Sequence, residues 1–257
     1  MFQCSFFLIL ALCLTVPASA DPAAGNPAPP PPALKEEALH WTKCSTSEGL
    51  NLYWSKVDGS QIIAFRGEGI VDAPLEKVSS IIIDTTRSTE WIDSLVSSKV
   101  VRAISSTEFI EYDHAGIPFP FDTLMHDRDF VSHVAVEADP VKRTVTVTYR
   151  AAEDSLAPPL RQYVRGTMTC EFKMLPMSLE DETYVEAEIH CDPKGTVPKW
   201  LVNFFQQGWP QTTFERLRKQ AKKTDIQLLP VVEQLLENPA VKLAQTTKKS
   251  LAASSRK

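Results

Sequence analysis

The sequence predicts an α+β domain in which a curved antiparallel β-sheet wraps around a long C-terminal helix, with two short helices after the first strands. Two observations carry this prediction. Strand-like segments with two-residue alternation follow one another from about Lys99 to Cys191, and the chain then enters an aromatic-rich helical stretch. That stretch opens with the turn Asp192-Pro193-Lys194-Gly195, has Pro198 in its first turn, and runs through Trp200, Leu201, Val202, Phe204, Phe205 and Trp209. Leu201, Phe204, Phe205 and Gly208 share one helical stripe, which is expected to lie against a large apolar surface.

The remaining elements follow in order. Residues 1–20 read as a secretory signal: Phe6 to Val16 is uncharged and apolar but short for a span, and Ala18-Ser19-Ala20 fits small-residue cleavage. Residues 21–33, with Pro29 to Pro32, form an extended linker. The domain covers 34–223, beginning with a short helix over Leu34 to Thr42. Gly49 to Val57 and Gln61 to Val71 are strands, and Asp58-Gly59 between them signals a hairpin. Asp72-Ala73-Pro74 starts a helix through Leu75, Val78, Ile81 and Ile82, and a second short helix lies around Ser88 to Ile92. Strands are expected at Lys99–Ile104, Glu108–His114, Arg128–Glu137, Arg143–Ala151, Tyr163–Leu175 and Thr183–Cys191. The loop Gly116-Ile117-Pro118-Phe119-Pro120-Phe121 either packs over a sheet edge or serves as a portal. Residues 224–257 hold an amphipathic segment (Leu228, Leu229, Val232, Leu235, Leu236), which most simply docks on the domain, and a basic tail.

Alternation assigns faces. Val164, Gly166, Met168, Cys170, Phe172 and Met174 share one side of their strand, and Val185, Ala187, Ile189 and Cys191 share one side of the next. Such a face suits a dense core or an adaptable apolar pocket. Cleavage after Ala20 leaves Cys44, Cys170 and Cys191; a Cys170–Cys191 bridge is conceivable, but two buried free thiols are the simpler reading.

Composition bounds the function. The chain of 257 residues is 43% hydrophobic and 23% charged, with net charge −5, which gives no reason to expect nucleic acid. Ten Lys/Arg against four acids from Glu215 onward leave a basic end on an acidic body, a pattern compatible with transient contact to an anionic membrane. Cofactor motifs and metal-spaced ligands are not evident. The dense titratable clusters are Asp113-His114 and His126-Asp127-Arg128-Asp129, with Asp122 close in sequence. His126 with Asp129 is an acid/base candidate; the simpler reading is that Arg128 and Asp129 hold the strand entry through hydrogen bonds and an ion pair.

Arg128-Asp129-Phe130-Val131 at a strand start, Asp192 to Asn203 entering the last helix, Trp91 with Asp93, and Gly67-Glu68-Gly69 together resemble the StAR-related lipid-transfer (START) domain family over about Leu34 to Lys223. The resemblance implies a helix-grip fold enclosing a tunnel for one lipid. Sterol-binding members carry a second Arg six positions after the first, where this chain has Val134; this favours a phospholipid or fatty-acid-like ligand over a sterol. The expectation is therefore an exported, monomeric, non-enzymatic lipid carrier, periplasmic in a bacterium and otherwise secreted or lumenal. Met168, Phe172, Ile189, Leu201, Phe204 and Phe205 are its candidate ligand contacts, with no catalytic or metal residues and no cofactor. The alternatives are a cyclase- or hydrolase-type cavity enzyme and a ligand sensor acting through a partner.

Overall fold

The computed structural model describes residues 39–117, 125–177 and 181–237. Its elements are β1 (Thr42–Ser47), β2 (Leu50–Ser55), β3 (Ala64–Val71), α1 (Leu75–Ile83), a 3₁₀ helix (Thr85–Glu90), β4 (Leu95–Ala103) and β5 (Glu108–Ala115). Then come β6 (Arg128–Asp139), β7 (Thr144–Ala151), β8 (Val164–Arg165), β9 (Thr167–Pro176), β10 (Thr183–Asp192), α2 (Lys199–Gln206), α3 (Trp209–Ala221) and α4 (Pro230–Leu236). Among the described residues the strands form one sheet in the order β1-β2-β3-β10-β9-β7-β6-β5-β4. Each neighbour in that path is antiparallel, and β8 adds a short parallel pair to β6. The predicted signal, the linker, Pro118 to Phe121 of the expected portal loop and the basic tail lie outside the described residues.

Two turns decide how the sheet begins, and both correct the sequence reading. Thr42 opens a strand instead of closing a helix, because Glu48 (φ 50) and Gly49 (φ 75) make the tight reversal that pairs Ser47 with Leu50. The expected hairpin at Asp58-Gly59 is instead part of a longer connection. Gly59 turns with φ 75, but the ladder stops at Ser55 opposite Ala64, and the Ile63 amide donates to Asn203 Oδ1 instead of to a strand. The second short helix is a 3₁₀ turn set slightly earlier than expected, started by Asp84 Oδ1 accepting from the Thr86 amide at 3.0 Å.

The C-terminal helix is broken, not continuous. It stops at Gln206 and restarts at Trp209, with Pro210 in the new first turn, where a missing N–H costs nothing. The second half, α3, is the anchored one: Phe214, Leu217 and Ala221 are buried along one stripe over β3. Gly67 leaves room for it. A Cβ on Gly67 would meet Pro210 Cβ at 2.8 Å and Phe214 Cε2 at 3.0 Å. Each fully buried side chain of that size contributes roughly 1.5–3 kcal/mol. No helix among the described residues is long and apolar enough to cross a membrane.

Candidate functional site

Strand register lays the inner face of the sheet out as rows. One row runs Phe65, Ile189, Cys170, Tyr149, Val134, Phe109 across β3, β10, β9, β7, β6 and β5. A second runs Gly67, Ala187, Phe172, Val147, Val136. These side chains belong to the main apolar cluster, or pack on it, together with α1, Trp91 and α3. Phe172 sits within ring contacts of Trp91 (6.2 Å), Tyr149 (6.3 Å) and Trp209 (6.3 Å).

Of the six candidate contacts, Phe172 and Ile189 are buried in this face, and Met168 is half-buried beside them, directly opposite Cys191. The helical candidates are placed differently. Leu201 is half-buried, whereas Phe204 and Phe205 are 60% and 47% exposed and touch each other edge to face. The expected inward stripe is thus corrected: Val202 is the buried residue of α2. Polar side chains fix this rotation. Asn203 accepts from the Ile63 amide at 3.1 Å and donates to the Gln61 carbonyl at 3.1 Å, and Gln206 Nε2 donates to the Cys191 carbonyl at 2.7 Å. With that side held against the domain, Trp200 (70% exposed) and Phe204 project outward.

Behind α2 the inner face carries Tyr149 and Cys191, both packed against the main apolar cluster. Burial drives the Tyr149 hydroxyl well above its ordinary value and the Cys191 thiol up to about 12, so both lie deep within protein. Both nevertheless retain accessible surface. The two cysteines are free; Cys170 stands opposite Ile189 and Cys191 opposite Met168, so the thiols are diagonal neighbours.

Sequence reasoning missed the polar part of this wall. On β5, Ile110 and Tyr112 join Val131 and Ala157 in a second apolar cluster on the outer face. Alternation therefore turns Phe109, Glu111 and Asp113 inward. Glu111 is 3% exposed and stands opposite Ser132. Ser98 Oγ donates to its Oε1 at 2.6 Å, while Glu111 Oε2, Asp113 Oδ1 and Ser132 Oγ have no hydrogen-bond partner. Burial, then the neighbouring Asp113 charge, push Glu111 up to about 8; burial pushes Asp113 up to about 6. A signal was present: a strand with an apolar outer pair must bury its other face as well.

The candidate acid/base pair does not form. Asp129 is fully buried and takes two hydrogen bonds from Arg165, at 3.0 and 2.9 Å, while His126 is exposed. Arg128, lowered by burial, donates to the carbonyls of Pro193 (3.2 Å) and His126. It thereby ties the entry of β6 to the turn that precedes α2, the structural role expected for this segment. His114 Nε2 and Asp127 Oδ2 lie 2.8 Å apart, and the His114 ring stacks on Tyr163. Among the described residues no group of three or more His, Cys, Asp or Glu is arranged to hold a metal. A separate surface groove between α1 and α4 is lined by Glu76, Lys77, Arg143, Leu228, Glu233 and Leu236, away from the inner face.

The family model for the START domain matches residues 33–221. An uncharacterized protein of Pseudomonas aeruginosa is 26% identical over 192 residues, covering 74% of this chain and 90% of its own length. StAR-related lipid transfer protein 5 of Mus musculus is 25% identical over 194 residues, covering 74% and 89%. Among solved structures, a STAR-related lipid transfer protein fragment from Xanthomonas axonopodis superposes with a TM-score of 0.63 at 26% identity, covering 71% of this chain and 99% of that one. Human StAR-related lipid transfer protein 5 superposes with a TM-score of 0.65 at 22% identity, covering 79% and 90%.

Proposed function

Since the chain belongs to the START domain family, we propose that it binds one lipid between the inner face of the sheet, at Tyr149 and Cys191, and the C-terminal helices, and carries it between membranes without altering it. The observation that carries this reading is α2. Trp200, Phe204 and Phe205 stand exposed on a helix that adjoins the interior through Gln206 and Cys191 and is separated from α3 at Gln207-Gly208. Exposed aromatic groups of this kind partition into a bilayer interface, while Lys194 and Lys199 beside them are both paired with Asp192 at 3.0 Å. The cargo is of the phospholipid or fatty-acid-like class, because the fully buried Val134 offers no cation at the position where a sterol hydroxyl would need one. Carriage without chemistry is favoured by the commitment of Asp129 to Arg165. Export follows from residues 1–20 and is checked by N-terminal sequencing, which should find Asp21 first.

The carrier reading is tested by following a fluorescent phospholipid from donor to acceptor vesicles. Transfer should be saturable, and the Trp200→Ala/Phe204→Ala variant should slow it about tenfold, the effect of losing one to two kcal/mol of interfacial binding. Its thermal midpoint should hardly move, because both side chains are exposed. A cargo recovered with altered mass would favour the cavity-enzyme alternative. Protein that neither binds nor moves lipid would refute the proposal.

A further inference from the structure

The groove between α1 and α4 is completed by a segment beyond the family domain: the START match ends at residue 221, and α4 begins at Pro230. α4 is fixed to the body by the buried Val232 and by the Leu229 amide, which donates to Ser80 Oγ at 2.9 Å. The groove has a volume of about 580 Å³, within the range of ligand-sized clefts. Leu228, 46% exposed, and the half-buried Leu236 are its apolar lining.

The charges along this groove do not balance. Arg143 is engaged by Glu76 at 2.5 Å, and the Lys77 ammonium donates to the Lys223 carbonyl at 2.8 Å. Glu233 is exposed and, among the described residues, forms no ion pair. Glu237 caps α4 one turn later and lines the same groove. Two carboxylates at i and i+4 repel each other, and a carboxylate at a helix C-terminus also meets the negative end of the dipole. A cation lying along this face relieves both.

The chain itself supplies such a cation. Residues 238–249 continue directly from Glu237 and carry Lys242, Lys248 and Lys249 with no Asp or Glu, and Val241 and Leu243 flank Lys242. Pro239 stops α4 from continuing. Residues 238–243 reach up to about 20 Å when extended, twice the roughly 10 Å length of a seven-residue helix. The segment is therefore long enough to turn at Pro239 and run back along α4 toward Leu228. We propose that the groove between α1 and α4 is the docking surface for the chain's own basic segment Val241–Lys249, whose lysines compensate Glu233 and Glu237 and whose Val241 and Leu243 cover Leu228 and Leu236. Docking withholds these lysines from other anionic surfaces. The proposal does not depend on the lipid-binding reading.

The test is tryptic cleavage of the full chain at Lys242, Lys248 and Lys249, followed by mass spectrometry, with a synthetic peptide of residues 238–249 calibrating the protease in each buffer. At low salt, cleavage should be about fivefold slower than in the Glu233→Gln/Glu237→Gln variant, and about 0.5 M salt should remove the difference. Both glutamates are exposed, so the variant should melt where the unmodified protein does; should it not fold, the salt comparison on the unmodified protein decides. Carbodiimide coupling should join Glu76 or Glu233 to a lysine of the segment within single chains. Equal cleavage rates, or rates that salt leaves unchanged, overturn the proposal. Cross-links found solely in covalent dimers overturn it in favour of a second copy as the occupant.

Discussion

Glu111→Gln should change how stability depends on pH. Glu111 holds its proton up to about 8 in the folded protein because burial, reinforced by Asp113, disfavours its ionised form, whereas an ordinary glutamate releases it near 4.5. Between those values the folded state binds more protons than the unfolded chain, so stability is fully present below the lower one and is lost as pH rises toward the upper one. The slope is at most about 1.4 kcal/mol per pH unit, which sets a limit of about 4 kcal/mol between roughly pH 5 and pH 8. For a domain of this size that corresponds to a fall in melting temperature on the order of 10 °C. Gln keeps the shape and still accepts from Ser98, but has no proton to release. The variant should therefore lose much less stability over the same window, leaving the shallower decline that Asp113 imposes at the acid end. Urea unfolding at several pH values measures this directly. Parallel profiles for the two proteins would refute the reasoning, since they would mean that the Glu111 carboxylate is ionised and satisfied throughout.

Further outcomes follow from other contacts. Asp129→Ala strands the guanidinium of Arg165, which Asp129 holds through two hydrogen bonds; a loss of about 3 kcal/mol is expected, and a double-mutant cycle with Arg165→Ala should show strong coupling. Gly67→Ala sets a methyl group 2.8 Å from Pro210 Cβ, so α3 must shift, with a cost of roughly 1–3 kcal/mol read from urea midpoints. Gln206→Cys brings a second thiol beside Cys191, whose carbonyl Gln206 now contacts. Oxidation should then lock α2 and stop vesicle transfer, and reductant should restore it; transfer unchanged in bridged protein would show that α2 is not the gate.

The sheet was legible because its inner strands have one apolar and one polar face. Val185, Ala187 and Ile189 against Glu186 and Glu188 leave no choice of orientation, and Arg66 on the outer face of β3 pairs with both glutamates. The break near Gly208 and Pro210 has its cause in backbone chemistry, Gly208 lowering helix propensity and Pro210 lacking an N–H. The rotation of α2 was not legible, because hydrophobicity ranks Phe204 and Phe205 above Asn203 and Gln206. The winning contacts are hydrogen bonds to unpaired backbone groups of residues 61–63 and 191, whose lack of strand partners is a property of the tertiary ladder. The buried polar face of β5 escaped notice for a related reason. Both its faces are covered, so Glu111 and Asp113 look like surface residues in a local window.

The two halves of the C-terminal helix differ in how strongly they are held, and this difference is what makes gating at α2 physically reasonable. α3 would have to expose Phe214, Leu217 and Ala221 to leave the sheet; the two large side chains alone amount to roughly 3–6 kcal/mol, and the hydrogen bonds of Arg218 to the Ile70 and Glu48 carbonyls and of Gln220 to Glu90 add about 1 kcal/mol each. α2 is held by Val202 and by three hydrogen bonds from Asn203 and Gln206. At about 1 kcal/mol for each bond and about 2 for the valine, opening costs about 5 kcal/mol in water. Released backbone groups would be rehydrated, which lowers that figure. At a bilayer surface, insertion of Trp200, Phe204 and Phe205 recovers a comparable amount. Opening is thus rare in solution and nearly balanced at a membrane, so a carrier built this way would keep its cargo enclosed in transit and release it where the aromatic helix finds lipid.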